Sequence, residues 1–168
     1  MSKRNFVSTT PCGAKTETDV WITPKWIMDA LGIFDLDPCG WLVDGTPIVE
    51  TALRYFTERD DGLSQVWVGS VFCNFPYSQS RVWMEKMSRH ANGVVLCFAR
   101  TETKAFQENV KNATGIVFIN KRVSFVRSDG TVGSNGNAPS ILIAWGEDNF
   151  DRIKRVPGIS CRLEVTHV

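Results

Sequence analysis

The segment Gly93–Ala99 constrains the fold more than any other part of the chain. It is a near-continuous apolar run, which is typical of a strand buried on both faces in a parallel sheet. Helix-compatible segments precede and follow it, at about 79–90 and 102–112. Because strands that alternate with helices favour a parallel sheet covered by helices, we predict an α/β fold. The other core strands are expected at 33–37, 71–73, 115–119 and 141–145.

Composition limits the classes of protein that the chain can belong to. The 168 residues are 43% hydrophobic and 22% charged, which suits a single domain over 19–168. Residues 1–18 are polar and small, and we expect a flexible arm there. The net charge of +1 means that nucleic-acid binding would need a local basic patch.

Cysteine usage and hydropathy bear on the compartment. Five widely spaced cysteines without a C-x-x-C pair indicate free thiols in a reducing cytoplasm, with no disulfide framework and no metal site. No apolar run approaches the roughly 20 residues of a membrane span. Residues 1–5 are not followed by an apolar stretch, so no signal peptide is expected.

A polar and aromatic turn, Asn74-Phe75-Pro76-Tyr77, follows the predicted strand at 71–73. Pro76 lacks an N–H, so the strand cannot continue through it as a central strand. Ligands usually bind at the carboxyl ends of strands in open α/β sheets. The Asn74 side-chain oxygen and the Phe75 or Pro76 carbonyl could accept the two protons of a planar amino group, while Tyr77 stacks on its ring. The tetrapeptide by itself is equally compatible with a plain strand-ending turn.

This turn resembles the (Asp/Asn/Ser)-Pro-Pro-(Tyr/Phe/Trp) motif of amino-group DNA methyltransferases. Over about residues 20–146 the chain resembles the small phage-type DNA N6-adenine methyltransferases (Dam-like), although Phe75 replaces the first proline of the motif. The resemblance implies a compact Rossmann-like class I methyltransferase fold, with a mostly parallel sheet and a C-terminal antiparallel pair from 116–126 and 141–145. It also implies S-adenosylmethionine as cofactor, a flipped-out DNA adenine as substrate, and the host bacterial cytoplasm as the location.

Three further segments resemble the cofactor-binding elements of that family. Trp21-Ile22-Thr23-Pro24 is similar to its N-terminal Trp-x-Thr-Pro element, and Asp37-Pro38-Cys39-Gly40 to the motif that ends its first strand. Asp60-Asp61-Gly62-Leu63 is similar to the turn whose Asp bonds the cofactor adenine, and Asp61 is the preferred residue. By residue type alone, the first segment could be a helix N-cap formed by Thr23, and the other two could be capped or solvated turns. The residues implied to hold the cofactor are Trp21, Thr23, Pro24, Asp37, Pro38 and Asp61.

The resemblance also implies roles in catalysis and DNA binding. Only about 36 residues separate Asp37 from Asn74, too few for an inserted recognition domain, which suggests loose sequence specificity or a homodimer. The basic residues that flank a predicted loop at 128–137 could touch phosphates, as could Arg100 after the apolar strand. The implied catalytic residues are Asn74, Pro76 and Tyr77, and the implied substrate and DNA contacts are Phe75, Ser78, Arg100, Lys121, Arg122 and Arg127.

Two other functions remain compatible with the sequence. A methyltransferase of the same fold could act on RNA or on a protein amide, because each of these substrates presents a planar NH2 group. Alternatively, the protein could be a catalytically inactive DNA-binding relative in which Phe75 has spoiled the pocket.

Overall fold

The computed structural model describes residues 21–135 and 138–164, so the predicted arm at 1–18 lies outside the described residues. The described part is a mixed α/β structure built around one large sheet. Its helices are α1 (Lys25–Leu31), α2 (Ser80–His90), α3 (Lys104–Asn109) and α4 (Glu147–Ile153). Its strands are β1 (Phe34–Asp37), β2 (Leu42–Val43), β3 (Thr46–Pro47), β4 (Ala52–Tyr55), β5 (Val71–Cys73), β6 (Gly93–Phe98), β7 (Gly115–Ile119), β8 (Ser124–Val126), β9 (Val132–Asn135), β10 (Ser140–Trp145) and β11 (Gly158–Arg162).

The large sheet has the strand order β11-β7-β10-β6-β5-β1-β4. β4, β1, β5 and β6 are mutually parallel, whereas β10 runs antiparallel between β6 and β7. The predicted mostly parallel sheet is therefore confirmed, and so is its antiparallel pair of β7 with β10, but residues 124–126 of the predicted pair form β8 in a separate two-stranded sheet with β9. The order is consistent with a Rossmann-like class I fold. The chain passes from β1 to β4 on one side and then returns to β5 on the other. Such a reversal of strand order is the point at which open α/β sheets bind ligands.

Two helical layers cover the sheet, as the apolar runs predict. Every residue of β6 from Gly93 to Cys97 is buried, and so is every residue of β10. Val95 and Cys97 pack with the α2 side chains, while Val94 and Leu96 pack with those of α1 and α4. Strands buried on both faces explain why the sequence shows continuous apolar runs without alternation.

Several local predictions require correction. Thr23 is not a helix N-cap: Pro24 holds that position without a side-chain cap bond, and the Thr23 hydroxyl accepts a hydrogen bond from Asn74 instead. The loop predicted at 128–137 contains β9, which pairs with β8. The sequence at 41–66 shows no clear periodicity and predicts an irregular region, with 51–56 compatible with either a strand or a helical turn. The structure instead forms the β2–β3 hairpin and the strand β4 there.

The C-terminal part was predicted only in outline. The pattern at 153–165 is compatible with a strand or with an extended cover, and the structure forms the strand β11 there. The sequence analysis missed α4, whose seven residues bury Asn149, Phe150 and Ile153. No helix in the described ranges is long and apolar enough to cross a membrane.

Candidate active site

The candidate site lies where β1 and β5 end side by side, at the reversal of strand order. β1 ends at Asp37 and β5 ends at Cys73, directly before Asn74. The two strands are parallel neighbours, so both residues lie at the same carboxyl edge of the sheet. The topology thus brings together two of the segments that sequence analysis singled out.

Asn74 is held in one orientation by the segment before α1. Its Nδ2 donates hydrogen bonds to the Trp21 carbonyl and to Thr23 Oγ1, the latter at 3.1 Å. A carbonyl oxygen can only accept, so the amide nitrogen must face Trp21 and Oδ1 must point away from it. That Oδ1 is buried and has no hydrogen-bond partner among the described residues. Leaving a buried acceptor unpaired costs about 1–3 kcal/mol, which is why an orphan acceptor in a native fold calls for an explanation.

Asp37 contributes a buried carboxylate to the same edge. Its side chain is 6% exposed. Oδ1 accepts the Cys39 N–H at 3.0 Å, and Oδ2 accepts the Thr51 hydroxyl at 2.6 Å. The first hydrogen bond shapes the predicted Asp-Pro turn. The second could not be predicted from local sequence, because Thr51 lies 14 residues from Asp37. Two donors therefore fix the carboxylate of Asp37 in place.

Asn74 and Asp37 line one cleft, which we name the Asn74 cleft. It contains the predicted Trp21 and Thr23 together with aromatic and polar residues from the region around β2 to β4, which sequence analysis did not identify. Among the described residues, the lining is Trp21, Ile22, Thr23, Asp37, Cys39, Trp41, Val49, Thr51, Tyr55 and Asn74. The cleft thus combines aromatic walls, one carboxylate and one orphan acceptor.

The acidic turn after β4 packs beside this cleft but does not line it. A methyl group added at Gly62 would lie 1.9 Å from the Pro38 carbonyl oxygen, so the two turns are in direct contact. The Asp60 carboxylate accepts the Thr57 backbone N–H and hydroxyl, which lowers the pKa of Asp60 below its usual range. Because Asp60 is engaged locally and the Asp61 side chain is exposed, Asp61 remains the better candidate for a ligand contact.

Tyr77 lines a second cavity, which we name the Tyr77 cavity. The Phe98 ring stacks on Tyr77 with centroids 4.0 Å apart, so one face of the tyrosine is already covered. The Tyr77 hydroxyl is buried with no partner in the described part of the chain. Burial, and next the neighbouring Cys97 thiol, raise the pKa of Tyr77 well above its usual value, so the phenol stays neutral. The cavity is lined by Phe75, Tyr77, Ser80, Met84, Cys97, Phe98, Arg100, Thr103, Ala105 and Phe106.

The structure refines the role expected for the Asn-Phe-Pro-Tyr backbone. The Phe75 side chain is only 2% exposed and belongs to the core, and part of it also lines the Tyr77 cavity. The Pro76 carbonyl accepts the Gln79 N–H at 2.9 Å, in the short helical turn that leads into α2. The Phe75 carbonyl is therefore the better candidate for the second amino-group acceptor.

The β8–β9 hairpin is fastened to the site by backbone and aromatic contacts. Val126 and Ile22 exchange two backbone hydrogen bonds, each of 2.9 Å. Phe125 is buried and lies edge-on to both Trp21 and Tyr77, at centroid distances of 6.0 and 6.4 Å. The alternating apolar pattern at 122–126 predicts a half-exposed strand, and it gives no sign that Phe125 joins the hairpin to the site.

The predicted DNA-contacting cations surround this hairpin and the Tyr77 cavity. Lys121, Arg122 and Arg127 are exposed, and Lys121 Nζ lies 4.1 Å from the centroid of the Trp26 ring. Arg100 is exposed at the rim of the Tyr77 cavity, and Ser78 is exposed after Tyr77. Cationic side chains therefore lie close to the carboxyl edge of the sheet, where a polyanion could reach them.

The sheet order and the Asn74 turn define an α/β protein with a candidate ligand site at the reversal of strand order. A family model described as DNA N-6-adenine-methyltransferase (Dam) matches residues 8–156. The chain belongs to this family of DNA adenine methyltransferases, which confirms the resemblance seen in its motifs. Searches of curated proteins and of solved structures gave no match.

Proposed function

We propose that this protein transfers a methyl group from S-adenosylmethionine to the N6 amino group of adenine in DNA, as an enzyme of phage or prophage type that works in the bacterial cytoplasm. Family membership supports the substrate and the position modified. The observation that carries the proposal is Asn74 Oδ1, a buried acceptor without a partner among the described residues and with a fixed direction.

The residues of the Asn74 cleft suit the proposed cofactor. When bound, S-adenosylmethionine supplies an electrophilic methyl group on a positively charged sulfur. The Asp37 carboxylate would hold the cationic ammonium of its amino-acid end, since opposite charges attract strongly at a site with little exposure to water. Trp21 and Thr23 would form part of the surrounding walls. Pro24, Pro38 and Asp61 lie outside the lining of the cleft, and they would contact the part of the cofactor that extends beyond it, with Asp61 bonding the adenine.

The chain's own groups would orient the substrate base. An adenine inside a duplex is out of reach and has to be flipped out, at a cost of a few kcal/mol. The base would stack on the face of Tyr77 opposite the one that Phe98 covers. Asn74 Oδ1 would accept one amino proton and the Phe75 carbonyl the other, which turns the nitrogen lone pair toward the methyl group.

No covalent nucleophile is needed for this reaction, and positioning supplies most of the rate. Cys97, the thiol nearest to Tyr77, fits this view because burial raises its pKa to about 12. It therefore stays protonated at neutral pH and serves as a packing residue.

DNA would be held by the cations around the β8–β9 hairpin. Contacts to phosphates position a duplex but carry no sequence information. Lys121 and Arg122 before the hairpin, Arg127 within it and Arg100 at the Tyr77 cavity would place the strand so that a flipped base reaches Asn74.

The test is transfer of labelled methyl from S-adenosylmethionine to three substrates: unmethylated DNA, RNA of the same sequence, and a glutamine-containing peptide. The expected product is labelled N6-methyldeoxyadenosine after digestion of the DNA. Label that enters only RNA or the peptide would overturn the choice of DNA. Bound cofactor without any transfer would contradict the catalytic proposal and favour an inactive DNA-binding protein.

A further inference from the structure

Tyr55 has an unusual set of hydrogen bonds for a residue at the edge of a ligand cleft. Its phenol oxygen accepts two backbone N–H groups, from Thr51 at 3.0 Å and from Ala52 at 3.1 Å. A phenol is both a donor and an acceptor, and here its acceptor positions are taken. Its own O–H meets no acceptor within 21–135 and 138–164. The hydroxyl is therefore a donor with a restricted direction.

The position of Tyr55 is firmly set by the fold. In the pairing of β1 with β4, Tyr55 is the register partner of Asp37 at the carboxyl edge. A methyl group added at Gly40 would lie 2.6 Å from the Tyr55 ring, so the absence of a side chain at Gly40 makes room for that ring. The Asp-Pro-Cys-Gly turn and Tyr55 therefore form one packed unit.

Trp41 supplies a second donor to the same cleft. Its indole N–H is buried and has no acceptor among the described residues, although Trp41 lines the Asn74 cleft with Tyr55. A buried N–H without a partner is costly, so it indicates a group that is satisfied when a ligand is present. The cleft thus holds two donors without acceptors beside the carboxylate of Asp37.

We propose that Tyr55 and Trp41 bind the carboxylate at the amino-acid end of the cofactor. An α-amino acid carries an ammonium and a carboxylate on one carbon, and the cleft offers the complementary set of one carboxylate and two donors. A ribose would fit less well, because a neutral hydroxyl forms weaker hydrogen bonds with the two donors than a carboxylate does. The inference rests on the proposed function, since it takes S-adenosylmethionine to be the ligand of the Asn74 cleft.

The test compares binding of S-adenosylmethionine with binding of its decarboxylated analogue, which keeps the sulfonium, the ribose and the ammonium. Calorimetric titration is applied to the full-length wild-type protein and to Tyr55→Phe and Trp41→Phe. Each substitution removes one donor to a charged acceptor and is expected to weaken S-adenosylmethionine binding roughly tenfold or more. Affinity for the decarboxylated analogue is expected to stay within about twofold.

Two controls accompany the titrations: a matched variant, and a melting curve of each variant that shows whether it is folded. Trp26→Phe makes the same change at an indole outside the cleft and is expected to leave both affinities unchanged. Equal weakening of both ligands by Tyr55→Phe and Trp41→Phe, or no weakening at all, would overturn the carboxylate subsite. If the Tyr55→Phe protein does not fold, the affinities of Trp41→Phe for the two ligands test the proposal. Wild-type protein that binds neither ligand would instead overturn the proposed function, and the subsite with it.

Discussion

Replacing Thr51 by valine tests how firmly the Asp37 carboxylate is held. The Thr51 hydroxyl donates to Asp37 Oδ2 at 2.6 Å, and both side chains are nearly inaccessible, with exposures of 5% and 6%. Valine has almost the same shape as threonine, so the substitution leaves no cavity and isolates the hydrogen bond. A bond to a charged group contributes about 1.5–3 kcal/mol to the free energy of unfolding.

This loss converts into a measurable change in melting temperature. For a chain of this size, each kcal/mol corresponds to a shift of about 2–4 °C, so Thr51→Val should melt roughly 3–12 °C lower than the wild type. Thermal unfolding followed by circular dichroism measures the shift, and Thr51→Ser, which keeps the hydroxyl, is the matched control. We expect Thr51→Ser to recover most of the loss. In the same protein, affinity for S-adenosylmethionine should fall, because the carboxylate loses one of its two orienting donors.

A Thr51→Val protein that melts less than about 3 °C below the wild type would refute this role of Thr51, because a loss of about 1.5 kcal/mol already lowers the melting temperature by about 3 °C. That result would mean that the carboxylate finds an equivalent donor, and that Thr51 does not position Asp37.

Three further predictions concern the turn, the core and the hairpin. Gly62→Ala should destabilise the fold by about 1–3 kcal/mol, as measured by urea unfolding, because the new methyl group would lie 1.9 Å from the Pro38 carbonyl oxygen; unchanged stability would show that the two turns are not in contact. Burial raises the pKa of Cys97 from 9.0 to about 12, so above pH 9 the unfolded chain binds fewer protons than the folded one and stability should fall between pH 9 and 12. Cys97→Ala should make the free energy of unfolding fall less steeply with pH, by about 1.4 kcal/mol per pH unit. An unchanged slope would contradict the raised pKa of Cys97. Arg127→Gln should weaken DNA binding and reduce the slope of log affinity against log salt concentration by about 0.9. The control Arg162→Gln, on the edge strand β11 opposite the start of β7, should change neither quantity. Equal effects of the two substitutions would rule out a specific role for the hairpin.

The parts of the site that could be predicted from sequence are those whose structure depends on residues adjacent along the chain. Asn74 follows a short apolar strand and precedes a proline, and Asp37 ends another strand before an Asp-Pro turn, so both positions at a strand end follow from local chemistry. The reversal of strand order between β1 and β5 then brings them to one edge.

The missing parts depend on contacts between residues that are distant along the chain. Thr51 and Tyr55 lie in a stretch without clear periodicity, and their roles arise only when β4 pairs with β1. Thr23 has the residue type of an N-cap, but the fold directs its hydroxyl to Asn74 instead. Phe125 reads as one apolar position of an alternating strand, and only the docked hairpin brings it against Tyr77.

The most direct test of the account is a single-turnover comparison of the wild type with Asn74→Ala, at saturating cofactor and with unmethylated DNA. If Asn74 Oδ1 accepts an amino proton of the target adenine, formation of labelled N6-methyldeoxyadenosine should slow by roughly 100-fold or more, as when one preorganised hydrogen bond to the reacting group is removed. Affinity for S-adenosylmethionine should change little in the same variant. An Asn74→Ala protein that methylates adenine within tenfold of the wild-type rate would contradict the account, because the orphan acceptor would then have no part in the reaction.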